Sequence, residues 1–539
     1  MLPHAGITAT SSRLPIEIRR FPWIKPLAVD YALAYARLAD FFMGNPAEPA
    51  AWREAIARSQ QHVRQRDAIA GVVQAQQRRR EAPPQAVDAA ARLRDPQTVA
   101  IVTGQQAGLF GGPLFTLLKA VTAIQLAERV SREHRVPVVP VFWIDAEDHD
   151  WNEVKACGIL DTDLNLADVT LGEPAGAGHG SVAQVRMDHS AVAALDALAA
   201  ALPPTEFTEP LMHALRRAYR PGNGMAEAFG EWIESVLGPR GLVVFDASDP
   251  AAKPLAAGIF ARELEHPGVT SRLAAGAGAA LAALGYHAQV VPHDDHLALF
   301  HLDGTRAGIS ADEAPALRER ARARPEEFSP GVLLRPLVQD TLFPTVCYVA
   351  GPNELAYLGQ LRGVYETFGV PMPLMHQRST ATLLDSNAMR FLARHELPLE
   401  SLRHQDEGVL NQLLEAQIPA AVHESLEEAA RATSDRMAAL ARTVAQIDPT
   451  LEASARSTLG RMQDDLRKLH GKIIQAVKRK DDTLRRQFRH AQAQAFPGGH
   501  PQERSVGFVY FLNRHGHGLV DRLLEDLPPD QGTHWVITV

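Results

Sequence analysis

Short apolar runs alternating with helical spacing set the character of the first two thirds of the chain. Residues 98–102 (TVAIV) are a β-branched run that predicts a strand ending at Thr103-Gly104, and PLFTLLKAVTAIQLAERV from Pro113 restores helical spacing. Residues 137–144 (PVVPVFWI) predict a second buried strand that delivers an acidic stretch, Asp145 to Asp150, at its carboxyl end. Further strand candidates are 241–245 (GLVVF), the pair 287–291 and 297–302, and 345–350 (TVCYVA) running into GPNE. This alternation predicts an α/β protein with an open, Rossmann-like parallel sheet. After about residue 383 strand texture gives way to Ala, Leu, Glu, Arg and Gln, broken once at Asp448-Pro449. There Leu459, Met462, Leu466, Leu469, Ile473 and Ala476 recur at spacings of three and four, with Leu484 and Phe488 continuing the stripe, which predicts a coiled-coil seam.

The expected organisation is a helical layer over 1–95, a Rossmann-like core over 96–383 with insertions at about 155–235 and 252–335, a coiled-coil domain over 384–495, and a segment over 496–539 packing back on the core. A length of 539 residues suits several domain-sized units. The net charge of -8 denies the chain an overall basic field for nucleic acid or an anionic membrane, and the Lys and Arg along the coiled coil read as a solvated face. Two cysteines exclude a disulfide framework and a multi-cysteine zinc site. With no signal-like start and no long apolar window, a cytoplasmic location is expected.

Three polar stretches carry candidate chemistry. The first is TGQQAGLFGGP, read as a loop between strand and helix whose free N–H groups attract an anion, with Gly104, Gln105 and Gln106 as ligands and Lys119 behind them. It fits neither the dinucleotide nor the Walker spacing, and a turn that merely packs the helix is the plain alternative. The second, Asp145-Ala146-Glu147-Asp148-His149-Asp150, crowds four carboxylates and an imidazole into six residues; Asp148, His149 and Asp150 suit a general base, a divalent cation or an amino group, against a solvated loop capping the next helix. The third is Gly351-Pro352-Asn353-Glu354 with Tyr357, expected at the same sheet edge, with Asn353 as helix cap. Cys347 reads as packing, and His293 to His296 as a hairpin turn.

Four motifs in order, TGQQAGLFGGPLFTLLK, PVFWIDAEDHDWNEV, GPNELAYLGQLRGVYETFGVPMPLMHQRS and PQERSVGFVYFLN, resemble the cysteine ligase family of bacillithiol biosynthesis over essentially the whole chain. The resemblance implies a fold related to class I synthetase and nucleotidyltransferase cores, with connective-peptide insertions and a coiled coil that makes a homodimer. It further implies an amide bond between the carboxyl of L-cysteine and the amine of glucosaminyl-malate. ATP, with or without Mg²⁺, would activate the carboxylate through an adenylate or an acyl phosphate, and no tightly bound metal is expected. On this reading Gly104, Gln105 and Gln106 hold a phosphate or carboxylate, while Asp148, His149 and Asp150 bind or deprotonate the amine. Gly351, Asn353, Glu354 and Tyr357 line the opposite wall, and Lys119 or Arg378 meets the malyl carboxylates. The chain departs from the synthetase cores in having TGQQ where they carry His-x-Gly-His, and no lysine-rich loop. A nucleotide-binding scaffold and a metal-dependent hydrolase are the alternatives from other classes.

Overall fold

The computed structural model describes residues 13–178, 180–291, 296–303, 305–480 and 482–539, with the side chains of 477–480 left out. Five strands form a parallel sheet: β1 (Val99–Gln106), β2 (Val138–Asp145), β3 (Val243–Asp246), β4 (Thr345–Ala350) and β5 (Leu374–Gln377), in the order β5-β4-β1-β2-β3. This is the doubly wound arrangement, in which strand order reverses between β1 and β4 and opens a crevice at their carboxyl ends. All of these strands except the last residues of β1 and β2 are buried, as expected of a sheet covered on both faces. Helix α1 (Leu114–His134) follows β1 and is buried over most of its circumference, because Leu117, Leu118, Val121 and Ile124 face one core while Ala123, Leu126 and Val130 face another.

The structure corrects several expectations. β1 does not stop at Thr103-Gly104 but runs on through Gln106, paired with β2 as far as Gln106 opposite Asp145. Residues 287–291 are not a strand; His296–Asp303 pairs instead with Thr305–Ser310 and Phe328–Pro330. Apart from His296, which opens that strand, the expected turn at His293 lies outside the described residues. The first 95 residues contain helices at Pro26–Leu33, Pro49–Gln61, Arg66–Arg80 and Pro84–Ala91, but Arg13–Glu17 is a strand, hydrogen-bonded to Thr533–Thr538.

Two compact units divide the chain. In the larger, the described residues of 13–383 cluster with 500–537. Phe508, stacked on Trp232 with their ring planes 2° apart, lies against Gly111, where a Cβ would fall 2.2 Å from the Phe508 ring. The same unit buries two histidines. His534 sits between the Thr380 and Thr382 hydroxyls at 3.0 and 2.9 Å, and burial lowers its pKa to about 4, with Glu503 opposing and Arg378 assisting; burial likewise lowers His376 to about 4. Their folded pKa lies below the unfolded value, so the stability they confer is complete above pH 6.5 and is lost as pH falls toward 4. Each is expected to cost the unit about 2 kcal/mol between pH 7 and pH 5. Urea unfolding of His534→Gln should show a correspondingly shallower loss than the unsubstituted chain.

The smaller described unit comprises residues 384–499. Its helices α2 (Gly408–Glu415), α3 (Ala420–Val444) and α4 (Thr450–Lys480) include an antiparallel pair, α3 and α4, separated at Asp448, whose carboxylate accepts the Thr450 N–H at 2.8 Å. Leu459, Leu466 and Ile473 of the seam are half-buried, whereas Met462 and Leu469 remain 43% and 47% exposed. Leu484 and Phe488 are buried, Phe488 meeting Phe391 edge-on.

Candidate active site

Over the carboxyl ends of β1 and β4 lies a cavity of about 560 Å³, within the range that holds a small-molecule ligand. Its floor is the end of β1. Gly104 is there because β2 passes so close that a Cβ would sit 2.9 Å from the Trp143 carbonyl, so the sheet itself requires this glycine. Gly104, Gln105 and Gln106 lie within the strand ladder, and the expected nest of free N–H groups at these residues does not form. The first N–H of α1, from Leu114, is also taken, by the Val506 carbonyl at 2.8 Å.

The Gln105 and Gln106 side chains nonetheless reach the cavity. Gln106 Nε2 donates to Asp148 Oδ2 at 2.6 Å, and the other Asp148 oxygen accepts the His149 N–H at 2.7 Å. This fixes the carboxylate at the cavity edge. His149, with its side chain 67% exposed, stands at the rim with Nδ1 3.3 Å from Asp148 Oδ1. Asp150 does not line the cavity: it accepts the Glu153 N–H at 3.2 Å and caps the short helix Trp151–Val154, so the capping alternative holds for this residue. Glu147 turns away, buried in an ion pair with Lys253.

Lys119 and Arg378 line the cavity, but protein groups already satisfy both. Lys119 Nζ donates to the Gly104 carbonyl at 2.7 Å and pairs with Glu354; burial lowers its pKa, against the attraction of that carboxylate. Burial alone would raise the Glu354 pKa, yet Lys119, the Gly351 N–H at 2.6 Å and the Tyr348 hydroxyl at 2.8 Å together hold it below the ordinary value. Glu354 therefore stays ionised and organises the Gly351 loop, while Asn353 makes no side-chain cap. Arg378 grips Glu503 with two hydrogen bonds, at 2.7 and 2.9 Å, a geometry that leaves little of its guanidinium for a ligand.

Four groups that the motif reading did not single out complete the walls. Arg335 donates to the Tyr357 hydroxyl at 3.1 Å and stands 3.5 Å from Asp145, whose pKa is raised by burial against the pull of that arginine. Glu153 is raised by burial. Arg306 lies over the Phe300 ring at 3.8 Å, and Arg504 over Phe115 at 5.7 Å. Burial lowers the pKa of both arginines, and neither forms an ion pair among the described residues. Arg306 also donates to the Ser329 hydroxyl at 3.3 Å and the Pro330 carbonyl at 3.1 Å, so what the two share is the lack of a carboxylate partner. Arg504 and Glu153 lie inside motifs already quoted, PQERSVGFVYFLN and PVFWIDAEDHDWNEV, so a closer reading of charge within those motifs finds them; nothing in their local sequence marks Arg306 or Arg335.

Residues 14–379 match the family described as "Bacillithiol biosynthesis BshC, N-terminal Rossmann-like domain", and residues 381–539 match "Bacillithiol biosynthesis BshC, C-terminal coiled-coil domain". The chain belongs to the BshC family. Among its relatives, one from Salinibacter ruber is 33% identical over 100% of both chains, and one from Symbiobacterium thermophilum is 32% identical over 96% of this chain and 99% of the relative. A third, from Chlorobaculum tepidum, is 32% identical over 81% of this chain and 82% of its own. All three carry the name "Putative cysteine ligase BshC". The BshC match joins the tail to the coiled coil, whereas in the structure residues 500–537 cluster with the Rossmann-like sheet and bring Arg504 to its cavity.

Proposed function

We propose that this BshC-family chain joins the carboxyl group of L-cysteine to the amine of glucosaminyl-malate at the cavity over β1 and β4, consuming ATP. The observation that carries the reading is the pairing, in one cavity, of an oriented carboxylate, Asp148, with two unpaired guanidinium groups, Arg306 and Arg504. An amine-bearing dicarboxylate needs both: a base to take the ammonium proton and cations to hold the carboxylates. Asp148 takes that proton, held in register by Gln106, and His149 passes it to solvent at the rim. Arg504 and Arg306 meet the malyl carboxylates in place of Lys119 and Arg378. Gln105, Asn353 and Tyr357 contact the remaining polar groups of the substrates.

The carboxyl oxygen of cysteine attacks a phosphorus of ATP, giving an acyl adenylate with pyrophosphate released or an acyl phosphate with ADP released. The amine then displaces AMP or phosphate and forms the amide. Mg²⁺ travels with the nucleotide as its counter-ion. Incubating the full chain with L-cysteine, glucosaminyl-malate, ATP and Mg²⁺ and reading products by mass spectrometry tests the proposal: the cysteinyl amide should accumulate with AMP or ADP, and folded protein that yields no amide contradicts it. Replacing Arg504 with Ala should raise KM for glucosaminyl-malate by about 10- to 100-fold, the worth of one charge-assisted hydrogen bond, with little change in KM for cysteine.

We further propose a cytoplasmic homodimer formed through the coiled coil, with no nucleic acid or membrane partner. Met462 and Leu469, exposed on the seam, support a second copy covering them. Light scattering should give a dimer, and Met462→Glu with Leu469→Glu should give a monomer; a dimer that survives both substitutions uses another surface.

A further inference from the structure

We propose that Glu415, His423 and His470 form a binding site for one divalent cation of the zinc class within the helical unit. Glu415 is the last residue of α2, His423 lies at the start of α3, and His470 lies in the last third of α4. One ligand atom from each lies within 4.8 Å of the other two. His470 Nε2 and Glu415 Oε1 are 3.3 Å apart. That is the separation of two ligands sharing a tetrahedral zinc at bond lengths of about 2.0 Å, which comes to roughly 3.3 Å.

Four observations point to a ligand beyond simple proximity. His470 Nε2 is shielded from solvent and makes no hydrogen bond; the group it faces is the Glu415 carboxylate at 3.3 Å, so two potential ligand atoms meet there without a well-formed bond between them. The Glu415 carboxylate stands at the C-terminal end of α2, where the helix dipole disfavours negative charge and a cation would relieve it. The two imidazoles meet at 75° with centroids 5.9 Å apart, an edge-on arrangement that lets two ring nitrogens converge without the rings colliding. His423 Nε2 makes only a long contact, 3.5 Å, to the Glu415 carbonyl, which a metal bond readily replaces.

Two imidazoles and one carboxylate are a borderline donor set, suited to Zn²⁺ over the oxygen-seeking Mg²⁺ and Ca²⁺, and they leave a fourth position for water. The site would tie the three helices together at one point. Its ligands are too far apart in sequence to form a readable motif, which is why the chain reads as metal-free before it is folded. The site lies in the helical unit and does not depend on the function proposed for the cavity.

The test uses the untagged full chain, stripped with chelator and titrated with Zn²⁺ by calorimetry, and with Co²⁺ by visible absorption. The unsubstituted chain should bind one tight equivalent and show the intense d–d bands of tetrahedral Co²⁺. The His423→Ala/His470→Ala double variant, with unchanged helical circular dichroism, should lose that equivalent, and Glu415→Gln should weaken it by more than about tenfold. Should the double variant misfold, His470→Asn alone is read in its place. An unsubstituted chain that binds no equivalent, or a folded variant that keeps it, overturns the proposal.

Discussion

Replacing Asp148 with Asn is expected to lower turnover by about 10²- to 10⁴-fold, the range of a positioned general base, while leaving the melting temperature essentially unchanged. Asparagine keeps the size of the side chain and retains an oxygen for Gln106 Nε2, which now sits 2.6 Å from Asp148 Oδ2. It cannot accept a proton from an ammonium group. The loss should fall on kcat rather than KM, because the interaction matters most as the amine becomes a nucleophile. His149→Ala should have a smaller effect, about tenfold, since its imidazole is largely solvent-exposed at the rim and buffer can replace it as proton carrier. Near-normal turnover by Asp148→Asn in steady-state assays removes Asp148 from the reaction.

Glu503→Gln should reduce the unfolding free energy of the larger unit by about 3–5 kcal/mol, because it leaves the buried Arg378 guanidinium without its counter-charge. The carboxylate does more than neutralise. It takes two hydrogen bonds from Arg378 and lies within reach of the Ala381 N–H, and so pins the segment that carries Arg504, its neighbour in sequence. The variant is therefore also expected to raise KM for glucosaminyl-malate, as Arg504→Ala does. Replacing the pair together, Arg378→Met with Glu503→Leu, should recover much of the stability, since neither charge is then stranded. Denaturant unfolding of the two variants checks this; equal losses in the single and paired variants would mean that packing, not charge, holds the segment.

The legible parts of this fold were those written in periodicity. The seam from Leu459 to Ala476 repeats every three or four residues, a pattern with one structural meaning, and TVCYVA matches β4 residue for residue. Boundaries were harder. TVAIV reads as ending at Thr103-Gly104, a glycine being a common strand terminus, yet here the glycine is what lets the strand continue beside Trp143. TRAGIS, mostly solvent-facing, carries too little apolar signal to read as the partner of His296–Asp303, and 287–291 took its place. In the candidate site, loop position and polar crowding bring out Gln105, Gln106, Asp148, His149, Glu354 and Tyr357, all of which line the cavity. They missed how charges pair. That Lys119 serves Glu354 and Arg378 serves Glu503 is set by contacts between residues far apart in sequence, and only those contacts leave Arg306 and Arg504 without an ion pair among the described residues.

The central claim, that the chain activates a carboxylate with ATP and passes it to an amine, meets its most direct test in oxygen labelling. L-cysteine carrying ¹⁸O in both carboxyl oxygens is supplied with ATP, Mg²⁺ and glucosaminyl-malate, and the products are read by mass spectrometry. One ¹⁸O should remain in the amide carbonyl and the other should appear in the released AMP or inorganic phosphate. Amide formed with no label in either phosphorus-containing product would contradict the account.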